Sequence, residues 1–315
     1  MLFRSDNGGA SQILSVMLAV MAIEAGLAKT VLCGYGRDAW SRTHKSETAR
    51  VRNLTRPESQ HAREFGPEYG YFGAVAAHAF GAQRHMHEFR TTREQFAEIA
   101  LAFREHAQKN PEAQIRAPLT REDYFKARPI VSPFGLFDCS LRSDGAGAVI
   151  VTSAARARDM RRKPVMVRGF GSFNNLTGWF ADENMVRTAA IQSGEAAYRM
   201  AGLGPSDIGT AQLYDCFTYM VLVQLEDYGF CKKGEGGPFV QSGALRFGGV
   251  LPTNTSGGQL SEAHVEGMLQ IVEAVRQVRG DYGADRQVKD AAVALVSGHG
   301  GNQVCHSTLI LERAP

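Results

Sequence analysis

Two segments carry side chains suited to acid–base chemistry. Tyr214-Asp215-Cys216-Phe217 sets a phenol, a carboxylate and a thiol in a row directly after a strand-like run. His264 closes a second segment, Asn254-Thr255-Ser256-Gly257-Gly258-Gln259-Leu260-Ser261-Glu262-Ala263-His264. A phenol donates a hydrogen bond or moves a proton, and an imidazole is a base near neutral pH. Each residue also has a plainer reading. A strand-end tyrosine packs its ring, an aspartate before a helix caps it, a free cysteine is usually a small buried residue, and a histidine at a helix start caps or packs. A third segment, Ser297-Gly298-His299-Gly300-Gly301, also follows a strand-like run. Its glycines permit close backbone approach, and His299 turns either to a site or to solvent.

The rest of the chain narrows the class. With 315 residues, 44% of them hydrophobic, it has enough apolar material for one large or two medium domains. A net charge of +3 at 21% charged residues gives no footprint for nucleic acid. The one dense basic run, Arg156 to Lys163, reads as a solvated helix end. Five cysteines, none spaced as CxxC, argue against a structural zinc site, and no metal centre is expected. An odd cysteine count without a signal peptide fits a reducing, cytoplasmic setting. Ile13 to Ala28 is apolar but carries Glu24 and Gly26, so it reads as a buried helix and no membrane span is expected.

Elements to position the reactive residues follow from periodicity. Gly8-Gly9-Ala10-Ser11 opens a helix to about Ala25. Thr30 to Gly34 is a short apolar run, expected as a buried strand. Residues 37 to 66 are polar and irregular. Helices are expected over 68–85, 92–109 and 120–126, the second with a Thr91/Glu94 capping box. A turn-rich loop from Asp138 feeds a strand at Ala148 to Thr152, and Pro164 to Phe173 is another strand. Met185 to Ala201 is an amphipathic helix. Thr210 to Tyr214 is a strand, Phe217 to Tyr228 a helix with Asp215 as its expected N-cap, and a long helix lies within Ser261 to Arg279. Strands at Ala291–Ser297 and Ser307–Glu312 close the chain. The alternation argues for a layered α/β fold.

The start is unusual. Leu2-Phe3-Arg4-Ser5 is also the translation of CTC TTC CGA TCT, which matches the end of a common sequencing adapter. Two readings stand: Met1 to Ser5 are foreign and native sequence is missing before Asp6, or the short N-terminus is natural.

Four segments in order, YDCF at 214–217, NTSGGQLSEAH at 254–264, SGHGG at 297–301 and SDGA at 143–146, resemble the thiolase superfamily, in particular its sterol-carrier-protein branch. There the patterns read HDCF, NPSGG…GHP and a glycine-rich C-terminal loop. The resemblance covers nearly the whole chain from Asp6. It implies a five-layer αβαβα fold, with an incomplete N-terminal half at 1–160, a helical insertion at about 37–130, and a C-terminal half at 161–315. It also implies that the segment up to His264 is an active-site loop, with the long helix starting near His264 or Val265.

The same resemblance assigns roles. Measured back from Gly26, the family's nucleophilic cysteine falls at Gly9, and no cysteine lies between residues 1 and 32. Tyr214 takes the oxyanion-hole position and His264 that of the GHP histidine, although Ala263 and Val265 replace its neighbours. Cys216 matches the cysteine of HDCF. Ser297 stands where many thiolases have a second catalytic cysteine, and Asp215, Gly298, His299 and Gly300 support the loops. Ser256, Gly257 and Gly258 are expected to contact substrate. An empty nucleophile position with a tyrosine at the oxyanion site resembles the lipid-transfer-protein-type aldolases. The implied reaction is retro-aldol cleavage of a β-hydroxyacyl-CoA, with Tyr214 and His264 as acid/base pair. Those aldolases have a second tyrosine where this chain has His264. Coenzyme A enters as the substrate thioester, with no permanent cofactor. Implied partners are a second copy, as a homodimer, and a small OB-fold, zinc-ribbon chain. Two alternatives stand: a thiolase or acyltransferase using Cys216 and His264, and a non-catalytic scaffold subunit.

Overall fold

The structure is a computed structural model that describes residues 7–44, 73–175, 185–301 and 304–314. Met1 to Asp6 therefore lie outside the described residues, as do most of 37–66 and the start of the 68–85 helix.

Helix α1 (Ser11–Glu24) is almost wholly apolar, which suits an element covered on several sides. It leads to β1 (Thr30–Asp38), which pairs antiparallel with β4 (Asp144–Thr152) from Thr30↔Thr152 to Asp38↔Asp144. Between them lie α2 (Ala74–Phe89), α3 (Arg93–Lys109) and the small hairpin β2 (Pro129–Val131) with β3 (Phe134–Gly135). The second half supplies β5 (Val165–Asn174), α4 (Ala190–Ala201), β6 (Thr210–Gln212), α5 (Thr218–Asp227) and the single turn α6 (Gly258–Ser261). It closes with α7 (Met268–Arg279), β7 (Val293–Gly300) and β8 (Cys305–Arg313). The larger sheet runs β5-β8-β7-β6, with β6 parallel to β7 and the other pairs antiparallel.

Helices α1 and α7 lie between the β1–β4 ribbon and this sheet, and α4 covers the sheet's other face. Four successive layers, β-α-β-α, of the expected five are thus present among the described residues. One apolar cluster joins α1, α7 and the two sheets, through Ile13, Val16, Met268, Ile271, Val296 and Leu309. A larger one joins α2, α3, α5 and the sheet end, where Tyr214, Cys216 and Phe217 sit. Among the described residues no helix is long and apolar enough to cross a membrane.

Several expectations shift. Thr30 to Gly34 is part of a longer, half-exposed ribbon strand, because β4 is its sole sheet neighbour among the described residues. The capping box sits one residue later, at Thr92 and Gln95, with Thr92 N–H donating to Gln95 Oε1 at 3.0 Å. Thr91 instead pairs its hydroxyl with His85 Nδ1 at 2.8 Å. Helix α4 begins at Ala190, after turns at 185–189 that Asp227 ties down through Thr188. The long helix begins at Met268, since Glu266 and Gly267 adopt φ of +48° and +85° and break any helix started at His264. The Arg156 to Lys163 run begins inside the one-turn helix Ala154–Ala157 and is mostly exposed. With α7 it rims a groove of about 690 Å³ that includes neither Tyr214 nor His264.

Candidate active site

Strand β6 ends just before Tyr214, and Asn254 fixes the chain at that point. Asn254 accepts from Leu213 N–H at 2.7 Å and donates to Leu213 C=O at 2.8 Å. Tyr214 N–H then donates to Ser297 Oγ at 2.9 Å, and Ser297 donates in turn to Gln224 Oε1. Ser297 is fully buried, and its hydroxyl is engaged by Tyr214 N–H and Gln224.

The Tyr214 hydroxyl lies 2.9 Å from Glu266 Oε2, to which it donates, and 3.3 Å from His264 Nε2. His264 is held at both ends. Its N–H donates to Ser143 Oγ at 3.0 Å, and its Nδ1 lies 3.1 Å from Ser140 Oγ. Arg37 Nη1 donates to Glu266 Oε1 at 2.5 Å. A single consistent proton assignment is Ser140 O–H to His264 Nδ1, His264 Nε2–H to Tyr214 O, and Tyr214 O–H to Glu266. Burial, together with the Glu266 charge, pushes the phenol well above its ordinary range. Burial also pushes Glu266 up, but His264, Arg37 and Tyr214 outweigh it and bring that carboxyl to about 2. The site is a neutral phenol wedged between an anionic carboxylate and an imidazole, which suits hydrogen-bond donation and proton movement.

Helix α1 starts against this cluster. A Cβ on Gly9 would overlap the ring carbons and hydroxyl oxygen of Tyr214. The phenol thus occupies the space that a side chain at position 9 would need. Gly298 lies against the Gly9 carbonyl and Ala10, and Gly300 against the Asn7 carbonyl, so both let the helix start approach β7.

Other expected residues sit elsewhere. Asp215 is fully buried but does not cap α5, whose N-cap position is held by Phe217 without a side-chain bond. The Asp215 carboxylate accepts from Gln259 N–H, Leu260 N–H and Gln270 Nε2 at 3.0–3.2 Å, bracing α6. Burial outweighs these bonds and raises it to about 6. Cys216 is buried, its sulfur faces His78 Nε2 at 3.9 Å, and burial beside Asp215 and Glu266 pushes the thiol well above its ordinary range. That is the reverse of nucleophile activation. Ser256, Gly257 and Gly258 are buried: Ser256 donates to Glu262, Gly257 packs on Ala107 of α3, and Gly258 on Asp215. His299 is buried between His78 and His306, not turned to solvent. Sequence reading missed Glu266, Arg37, Ser140 and His78. Glu266 alone carried a signal, lying two residues from His264.

The comparisons with known proteins bear on the family and the fold. A family model described as thiolase C-terminal domain-like matches residues 173–313. The chain is 37% identical over 314 residues to a steroid side-chain-cleaving aldolase of Thermomonospora curvata, covering 98% of this chain and 79% of that one. It is 36% identical to a 17-hydroxy-3-oxo-4-pregnene-20-carboxyl-CoA lyase of Mycobacterium tuberculosis, over 87% of this chain and 72% of that one. The solved structure titled Ltp2-ChsH2(DUF35) aldolase superposes with a TM-score of 0.86 at 35% identity, covering 98% of this chain and 79% of that one. With layers and sequence in agreement, the chain belongs to the thiolase superfamily and is one of its enzymes.

Proposed function

We propose that the protein cleaves the Cα–Cβ bond of a β-hydroxyacyl-CoA by retro-aldol reaction, as a lyase of steroid or lipid side chains. The observation that carries this reading is the mutual exclusion of Tyr214 and any side chain at position 9. A site with a phenol in the nucleophile's space does its chemistry without an acyl-enzyme. In the reaction, His264 takes up its other tautomer, with Nδ1–H donating to Ser140 Oγ, and its Nε2 takes the β-hydroxyl proton. The C–O bond becomes a carbonyl, the Cα–Cβ pair moves into the thioester as an enolate, and the Tyr214 hydroxyl turns its one proton from Glu266 to the enolate oxygen. His264 then returns its proton to Cα, giving a ketone or aldehyde and a shortened acyl-CoA. Glu266, tethered by Arg37, holds Tyr214 and balances the charge on His264 while it carries the proton.

The similarity to a structure titled as an aldolase with a DUF35 chain supports a small partner subunit here. We propose that the working assembly contains that chain and two copies of this one, that it operates in the cytoplasm, and that the halves divide near residue 160. Coenzyme A is part of the substrate, not a resident cofactor. The test is product analysis by mass spectrometry, with a β-hydroxyacyl-CoA and the partner chain present. Equal amounts of ketone and shortened acyl-CoA support the lyase. Acyl transfer to free CoA would overturn it in favour of a thiolase, and no turnover with tight partner binding would favour a scaffold.

A further inference from the structure

Behind Tyr214 the fold gathers three soft donor groups that the retro-aldol chemistry leaves unused. His78 comes from the first turn of α2, Cys216 from the loop between β6 and α5, and His299 from β7. Their relative exposures are 2%, 8% and 3%. His78 Nε2 and His299 Nε2 are 3.0 Å apart, and Cys216 Sγ is 3.9 Å from His78 Nε2. All three atoms lie within 4.8 Å of one another.

The hydrogen bonds around them orient the lone pairs. His78 Nδ1 donates to the Ala74 carbonyl at 2.7 Å, so its Nε2 carries a lone pair pointed at the cluster. His299 Nδ1 lies 3.0 Å from His306 Nε2. That bond is equally good with the proton on either nitrogen, so His299 can present either a proton or a lone pair at Nε2. The Nδ1 of His306 is buried without a hydrogen-bond partner among the described residues and tolerates either tautomer. The carbonyl behind His78 is an outer contact of the kind that orients metal-bound histidines, and His306 fixes the His299 ring from behind.

Zinc binds imidazole nitrogen at about 2.0–2.1 Å and thiolate sulfur at about 2.3 Å, which sets tetrahedral ligand atoms roughly 3.3–3.6 Å apart. The two hydrogen-bonded separations here fall a few tenths of an ångström on either side of that range. We propose that His78, Cys216 and His299 form a binding site for a thiophilic divalent cation, with Zn²⁺ as the type ligand. Loading breaks the Cys216 S–H bond, forms a zinc–sulfur bond and releases one proton to solvent. The His299 proton moves to Nδ1 and the His306 proton to Nδ1, with no net change on the imidazoles. The sequence could not announce the site, because positions 78, 216 and 299 have no metal-motif spacing. The site stands independently of the lyase reading.

The test uses the purified full chain, titrated with Zn²⁺ against a chelating dye and with Co²⁺ by absorption. The expected results are one tightly held ion per chain and a thiolate-to-cobalt charge-transfer band. Cys216→Ser should abolish the band. His78→Gln and His299→Gln should each weaken binding by at least about tenfold, the scale on which even outer-contact losses act. His87→Ala, on the exposed side of α2, should change nothing. Thermal melts identify variants that fail to fold; if His299→Gln is one, His78→Gln carries the test. Undiminished binding in Cys216→Ser and His78→Gln, or no ion bound by the wild type, would overturn the site and leave a hydrogen-bonded cluster.

Discussion

Tyr214 concentrates the argument at the scale of single residues. Its hydroxyl has two partners, Glu266 and His264, and its ring fills the place opposite Gly9. Tyr214→Phe keeps the ring and removes only the donor. It should therefore fold normally and lose about 10²–10³-fold in kcat, the usual cost of one oxyanion donor. Circular dichroism with steady-state kinetics checks both halves of that statement. Gly9→Ala tests the packing. Inserting a methyl against Tyr214 should cost about 1–3 kcal/mol in denaturant unfolding. In a Tyr214→Ala background the same change should cost much less, because the obstructing ring is gone. Equal costs in both backgrounds would show that position 9 is glycine for another reason. Glu266 gives the site an acid limit. Its carboxyl sits at about 2, below the ordinary value of 4.5, so its stabilising effect is present above about pH 4.5 and is lost as pH falls towards 2.

At the scale of elements, the loop from Asn254 to His264 and the one-turn α6 set the positions of the reactive groups. Glu262, at the end of α6, is half-buried, accepts from Ser256 Oγ and Asn110 Nδ2, and faces the charge of Glu273. Burial raises it to about 8 from 4.5, so it is mainly protonated near neutrality. A carboxyl raised in this way contributes stability that is full below about pH 4.5 and lost as pH rises through about 8. Glu262→Gln reproduces the neutral shape and can still pair with Ser256 and Asn110. Its melting temperature should match wild type at pH 5 and exceed it by several degrees at pH 8.5. An unchanged gap across that range would contradict a neutral Glu262. The same loop shows what the sequence made legible. Tyr214 and His264 stood out because each sits at a strand or loop end within an ordered set of motifs. Glu266 did not, because its role depends on two successive positive-φ residues that turn it back on Tyr214. Asp215 and Ser256 to Gly258 looked like site residues, yet their polar atoms are spent on α6 and on Glu262. His78 was invisible because only the fold brings α2 to β7.

At the scale of the molecule, the layers were readable from alternating strands and helices, whereas exposure of the ribbon was not. A strand's apolar run shows that it has a hydrophobic face, not what covers it. Leu32 and Ile150 are cross-strand partners in the β1–β4 ribbon and remain 70% and 65% exposed. An adjacent apolar pair on a two-stranded sheet is a natural contact for a second copy. Light scattering should give twice the 34.3 kDa chain mass, and Leu32→Glu with Ile150→Glu should give the single mass with the chain still folded. A wild-type monomer would remove the homodimer from the proposal. The central claim is that carbon–carbon cleavage runs through Tyr214 without a thiol nucleophile. Its most direct measurement compares ketone release from a β-hydroxyacyl-CoA by wild type, Tyr214→Phe and Cys216→Ala in the presence of the partner chain. The account predicts near wild-type release from Cys216→Ala and loss of about 10²–10³-fold in Tyr214→Phe. Release that survives in Tyr214→Phe and vanishes in Cys216→Ala would contradict it.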